Sequence, residues 1–407
     1  MMSPFQQHSM LPDTAHDEQA RQDFVAAFRG HLSGQLMPGT YQVYSQRVEP
    51  KFAREKGRVP ADEHEVRALM TKDSFYQFWS AMQRRSQELL WEAVIDPVER
   101  ELPSLIERAK RPPKRGRSKG SLRLNPELVV PRYHTAADIH LQPGGYHSDF
   151  TSDDVAAGAV YDKGINLYMG GALGPQNNLM GDTLLAYLRE YHPTFKPKKI
   201  LDMGCAIGNS TVVWAKAFPE AEVHGIDVGA PVLRYAHGRA QALGATVHFS
   251  QQNAEATDFE SGSFDLVLSH IVLHETSKSA LVRILAECRR LLRPGGLMLH
   301  LEIPRGRTPM EKFMHNWESY NNNETFSRYM TDLDLAAESR KAGFQSNEVT
   351  VSEFAPKLNV SQMNYAEHFF WKILAGTNLS QSTLTRESRS KSDDAKRTNS
   401  RRRKKSS

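Results

Sequence analysis

The chain has 407 residues, enough for two domains and a sizeable buried core. Hydrophobic residues make up 39% and charged residues 24%, a balance that excludes a membrane bundle, a collagen-like chain and wholesale disorder. No apolar run approaches the ~18 residues of a membrane span, and residues 1–16 lack the basic-then-apolar order of a secretion signal. Cys205 and Cys288 are too few to staple a chain of this size, so a reducing cytoplasm is the expected compartment.

The net charge of +5 is unevenly spread. Leu379–Ser407 holds ten Lys/Arg against three Asp/Glu, and Arg108–Arg123 holds eight Lys/Arg and no acid. The rest of the chain therefore carries a net charge of −10. An acidic body argues against a nucleic-acid grip by the folded part and leaves any such role to the basic tail.

Residues 1–16 read as a flexible terminus, and residues 17–176 as a mainly helical region with a basic loop at 108–123. Phe24, Val25 and Phe28 recur at helical spacing. Asp73 is placed to cap a long helix carrying Phe75, Phe78, Trp79, Met82, Leu89, Leu90 and Val94. Residues 124–176 contain glycine turns and little periodicity, as a connecting or lid segment does. From Met180 the pattern alternates. Strands are expected at Lys199–Met203, Glu222–Val228, Thr246–Gln251, Phe264–Ile271 and Leu297–Ile303, with helices at Thr183–Tyr191, Thr211–Phe218, Pro231–Leu243 and Ala280–Leu292. A helix at Asp332–Ala342 and strands at Asn347–Phe354 and Ala366–Leu374 complete a domain over 177–378. The fold class is α/β, a doubly wound, mostly parallel sheet. Residues 379–407 read as a disordered Ser/Arg/Lys tail.

The informative segment is Ile200-Leu201-Asp202-Met203-Gly204-Cys205-Ala206-Ile207-Gly208-Asn209, which ends a strand and opens a helix. Such a turn brings backbone N–H groups close to a ligand, and Asp227 ends the next strand, where an acid meets ribose hydroxyls in doubly wound folds. A dinucleotide turn fits poorly, because Ala206 and Asn209 stand where it requires glycine. The spacing instead resembles the first motif of the class I S-adenosylmethionine-dependent methyltransferases, of the type 11/12-like group. The likeness continues through Gln251–Glu255, Gly262–Val267 and Leu291–Gly296, covering about residues 180–305 in order.

This resemblance implies a Rossmann-like sheet of seven strands, the last two forming an antiparallel hairpin, and S-adenosyl-L-methionine as cofactor. It implies that Gly204 and Gly208 allow passage of the methionine portion, that Asp202 orients the turn or meets the ammonium, that Asp227 accepts from both ribose hydroxyls, and that Asn253, Ala254 and Glu255 border the adenine. Methyl transfer needs an acceptor held in line with the sulfonium and shielded from water. His270, at the end of the fourth domain strand, is the candidate catalytic residue, with cofactor packing as its alternative role. Candidate acceptor contacts are Tyr146, His147, Tyr161, Trp317 and Tyr320. His134, His140 and His147 share one stretch, but their spacing matches no ligand pattern, so no metal is expected.

The leading reading is methylation of a small molecule, with oxygen as the acceptor atom. Two alternatives stand beside it: an RNA or protein methyltransferase guided by the basic tail, and a non-catalytic cofactor-binding scaffold. The expected partner is a small-molecule methyl acceptor, with no membrane and with a homodimer compatible.

Overall fold

A computed structural model describes residues 5–111, 120–304, 306–330, 332–355 and 370–379. Eight strands form one sheet: β1 (Ser121–Arg123), β2 (Lys199–Met203), β3 (Glu222–Asp227), β4 (His248–Gln251), β5 (Phe264–His270), β6 (Leu292–Glu302), β7 (Val349–Phe354) and β8 (Trp371–Thr377). Their order is β1-β4-β3-β2-β5-β6-β8-β7. All neighbours are parallel except β8, which runs antiparallel to β6 and β7.

The sheet is doubly wound because its central strands are apolar on both sides. Every residue of β5 is buried, as a strand covered by helices on both faces must be. One face packs Leu184, Trp214, Leu233 and Ala236 against Ile200, Phe249 and Leu299. The other packs Leu281, Leu285 and Cys288, from the helix Lys278–Leu291, against Leu201, Val267 and Met298. The chain runs β2, β3, β4 toward one edge and then returns to place β5 on the other side of β2. That reversal opens a crevice at the carboxyl ends of β2 and β5.

The sheet has one strand more than the expected seven. Ser121–Arg123 falls inside the run read as a basic loop, yet pairs in parallel with His248–Ser250. Three residues of mixed polarity give no strand signal of their own; the free edge of β4 supplies the partner. The last strand begins at Trp371 and not at Ala366, which lies outside the described residues. So do residues 112–119 of the basic run and 380–407 of the tail.

The N-terminal region is helical, as expected. The helix Ser74–Lys110 runs 37 residues, about 55 Å. Asp73 caps it by accepting from the N–H groups of Phe75 and Tyr76. Pro97 sits inside this helix and cannot donate to the carbonyl of Ala93. The Gln22 side-chain amide fills that vacancy at 3.1 Å, which ties the helix His16–His31 to the long one. Leu90, Val94, Val98 and Leu105 then pack with Ala159 and Tyr235 in a core that joins this region to the sheet domain. Residues 8–11 are packed down, not loose: His8 bonds Asp162, and Met10 and Leu11 are buried.

Candidate active site at the carboxyl ends of the strands

The turn after β2 is built from three left-handed residues: Gly204 at φ +68°, Ala206 at +44° and Gly208 at +71°. A side chain at Gly204 would strike Val272, and one at Gly208 would strike Phe249. Both glycines therefore serve the packing of the turn, with Gly204 lying under the loop that follows β5. Ala206 occupies the small left-handed window open to an L-residue. Its N–H donates to Asp227 Oδ2 at 3.0 Å, while Asp227 Oδ1 accepts from the N–H of Gly229 at 2.9 Å. Asp227 thus ties two backbone turns together, and each of its oxygens retains a second lone pair.

Asp202 is 1% exposed. Its Oδ2 accepts from the Thr211 hydroxyl at 2.6 Å, whereas Oδ1 is buried with no hydrogen-bond partner. An orphaned buried carboxylate oxygen beside a glycine turn fits a ligand that brings an ammonium. His270 lies behind this acid. Its Nε2 accepts from the Trp214 indole N–H at 3.5 Å, and its Nδ1 stands 3.4 Å from Asp202 Oδ1. Both ring nitrogens face the turn's own scaffold.

Asn253, Ala254 and Glu255 follow β4. The Asn253 amide oxygen accepts from the Glu255 N–H at 2.9 Å, closing a local turn. The Glu255 carboxylate is held by Tyr133 at 2.9 Å and Arg283 at 2.5 Å. These partners fix the rim of the crevice, and the Asn253 oxygen is already engaged there.

Beyond the end of β5 lies a chamber dense in ionisable groups. The short helix Leu273–Glu275 brings in His274 and Glu275. His274 Nδ1 contacts Glu302 Oε2 at 2.8 Å, and its Nε2 lies 3.4 Å from Glu275 Oε1. His140 arrives from the far side, with Nε2 at 3.1 Å from Glu324 and 3.5 Å from Glu275, and Nδ1 at 2.5 Å from the Tyr146 hydroxyl. Tyr146 packs edge-on against Tyr161. Burial and the neighbouring tyrosine and carboxylates raise the Tyr146 phenol well above its usual value. For Tyr161, burial and the charges of Asp162, Glu275 and Asp227 act in the same direction. Tyr161 therefore lies within reach of the charges of both Asp227 and Glu275.

Burial alone would lower both imidazoles. Around His140 the hydrogen bond and charge of Glu324, with the charge of Glu275, outweigh it and raise the pKa. Glu302 and Glu275 do the same more strongly for His274.

The structure brings Tyr146 and Tyr161 into this chamber, but not the other sequence candidates. His147 lies beside His134, with ring centroids 5.6 Å apart. Trp317 stacks on Trp79 at 4.2 Å and donates to Ser80 Oγ at 2.7 Å, in a separate core with Phe313 and Met314. Tyr320 is 81% exposed. Sequence reasoning missed Glu302 and Glu324, weighed His140 only within a histidine run of unsuitable spacing, and gave His274 and Glu275 no role in the site. The one local signal was the pair His274-Glu275 directly after an apolar strand.

Comparison with known proteins agrees with this geometry. A family described as "Methyltransferase domain" matches residues 200–296. The demethylmenaquinone methyltransferase of Thermus thermophilus is 35% identical over 108 residues, covering 26% of this chain and 48% of that protein. The malonyl-[acyl-carrier protein] O-methyltransferase of Methylococcus capsulatus is 27% identical over 168 residues, covering 40% and 58%. The chain thus spans about half the length of these curated relatives. A solved Haemonchus contortus phosphoethanolamine N-methyltransferase 2 overlaps 54% of this chain and 58% of its own at 20% identity, with a TM-score of 0.42. The glycine turn, the acid at the end of β3 and the matched stretch identify residues 200–296 as a class I S-adenosylmethionine-dependent methyltransferase domain, with S-adenosylmethionine as its cofactor.

Proposed function

We propose that the protein transfers the methyl group of S-adenosylmethionine, by in-line displacement, to an oxygen atom of a small molecule held in the chamber. The cofactor supplies an activated methyl on a sulfonium. Asp227 would hold its ribose, Asp202 its ammonium, and the turn 204–208 its methionine portion. Val272, which covers Gly204, would help to exclude water. The observation that carries the reading is the placement of Tyr146, whose carbonyl packs on Gly229 beside Asp227 and whose hydroxyl meets His140 at 2.5 Å, so that one residue links the crevice to the chamber. Aromatic walls with a few polar groups suit a small acceptor, and a wall with more carboxylate than imidazole favours loss of the proton as a hydroxyl attacks. Both curated relatives described above are named as methyltransferases, one of them as an O-methyltransferase, which supports oxygen as the acceptor atom. In this reading His270 is a positioning residue for Asp202 and not the base.

The test is a screen of hydroxylated small molecules with the full chain, reading S-adenosylhomocysteine release and the mass of the product. Tyr161→Phe and Glu275→Gln should lower turnover at least tenfold and leave S-adenosylmethionine affinity within about threefold. Undiminished turnover in both variants, or a product methylated on nitrogen, carbon or sulfur, would overturn the assignment.

A further inference from the structure

We propose that His140, His274, Glu275 and Glu324 form a binding site for one divalent first-row transition-metal cation, open toward the acceptor chamber. The ligand atoms of His140, Glu275 and Glu324 all lie within 4.8 Å of one another. His140 Nε2 stands 3.1 Å from Glu324 Oε1 and 3.5 Å from Glu275 Oε1, and His274 Nε2 stands 3.4 Å from the same Glu275 oxygen. With metal bonds of ~2.0–2.2 Å, adjacent ligand atoms sit roughly 3–3.6 Å apart. The three spacings are those of a coordination shell.

Two independent observations point to a bound cation. The first is Glu275 Oε1, buried at the centre of the group and without a well-aligned hydrogen bond although both imidazole Nε2 atoms stand within 3.5 Å of it. A buried oxygen of this kind needs a counterpart. The second is the outer layer. Metal-binding imidazoles are aimed by a partner on the other ring nitrogen. His274 Nδ1 is held by Glu302 at 2.8 Å, His140 Nδ1 by the Tyr146 hydroxyl at 2.5 Å, and Glu324 Oε1 accepts from the Asn322 amide at 2.9 Å. Both imidazoles are thereby presented by their Nε2 atoms.

The backbone is organised to the same end. His140 has φ +56°, a conformation a non-glycine residue adopts only where its surroundings enforce it. Its carbonyl accepts from Gln87 at 2.7 Å and from the Trp91 indole at 2.8 Å, and its N–H donates to the Asn322 carbonyl at 2.7 Å. Two imidazoles with two carboxylates suit zinc, cobalt, manganese or ferrous iron better than calcium. The side chains of His140 and Glu275 keep 26% and 18% of their surface, against 4% for His274. A metal held there would be reached from the side of His140 and Glu275, where it could meet an acceptor oxygen. No sequence spacing announces the set, because its members come from three distant segments.

The full chain, stripped of metal by a chelator and dialysed, should be titrated with Zn2+ and Co2+ by calorimetry, with visible spectra recorded for cobalt. One equivalent should bind, and the cobalt adduct should show d–d bands. Glu275→Gln and Glu324→Gln should each weaken binding ten- to a hundredfold, and His140→Gln should remove the bands. S-adenosylmethionine affinity, measured on every variant, reports retention of the fold and does not depend on the acceptor proposed above. Absence of stoichiometric binding to the folded protein, or equal affinity in folded variants, would show a cluster of imidazolium–carboxylate ion pairs and overturn the proposal.

Discussion

Asp227 was legible in the sequence because the strand that carries it is short, apolar and followed directly by the acid. The structure adds that its oxygens also organise the backbone at Ala206 and Gly229. Asp227→Ala should therefore weaken S-adenosylmethionine binding by ten- to a hundredfold, the ~1.5–3 kcal/mol of a hydrogen bond to a charged group, with a circular-dichroism spectrum like that of the wild type. Ala206 offers the converse change. Its φ of +44° costs an L-residue about 1–2 kcal/mol relative to glycine, so Ala206→Gly should raise the thermal midpoint by a few degrees. An unchanged midpoint would mean that the loop carries no strain. His270 shows the limit of local reading: its place at the end of β5 suggested proton transfer, while its neighbours Trp214 and Asp202, brought in from other strands and helices, turn both ring nitrogens toward the scaffold. The chamber was invisible for the same reason, since His140 meets Glu275 and Glu324 only through the fold.

At the scale of elements, alternation of apolar strands and helices announced the doubly wound sheet, and Asp73 announced the long helix. The basic run hid β1, and the aromatic residues of Pro309–Asn321 suggested acceptor contacts at Trp317 and Tyr320. That helix instead buries Met310, Phe313 and Met314 against Val66, Met70, Tyr76 and Trp79 of the N-terminal region. Helical periodicity says which face is buried, not what covers it. The helix Ala156–Tyr168 carries Asp162, which is fully buried and accepts from Arg239 at 2.8 Å, Tyr235 at 3.0 Å and Asn177 at 3.0 Å, with His8 at 3.0 Å. Burial opposes its charge, but Arg239 and His8 hold its carboxyl well below the usual range. Asp162→Asn leaves Arg239 buried without its counter-ion and should cost roughly 3–5 kcal/mol in chemical denaturation. A loss under about 1 kcal/mol would contradict this role.

β6 carries a second titrating element. His300 is fully buried against Ser269 at 2.7 Å. Burial, with a smaller contribution from His270, lowers its pKa to about 3. The unfolded chain titrates this group near 6.5 and so binds the proton first. The stability it contributes is complete above pH ~6.5 and is lost as pH falls toward 3. Between pH 7 and 5 the native protein should lose about 2 kcal/mol through this group. Replacement of His300 by Asn should flatten the profile of unfolding free energy in that interval; an unaltered slope would assign it elsewhere.

The whole molecule is a sheet domain roofed by its own N-terminal half. The core of Leu90, Val94 and Leu105 with Tyr235 covers the helix Ala230–Ala242, and Tyr146 and Tyr161 reach the chamber from the segment between β1 and β2. A chain beginning at Gly174 would expose that helix and lose Asp162 beside Arg239, so it should aggregate or lose methyl transfer, whereas a chain ending at Leu379 keeps every described contact of the chamber. Wild-type turnover on a small acceptor by the latter would set the basic tail apart from catalysis; its loss would favour a tail-guided macromolecular acceptor. The most direct test of the central claim is calorimetric titration of S-adenosylmethionine into the full chain and into Asp227→Ala. One cofactor should bind per chain, with affinity weakened ten- to a hundredfold in the variant. Absence of binding to the wild type, or equal binding to both proteins, would contradict it.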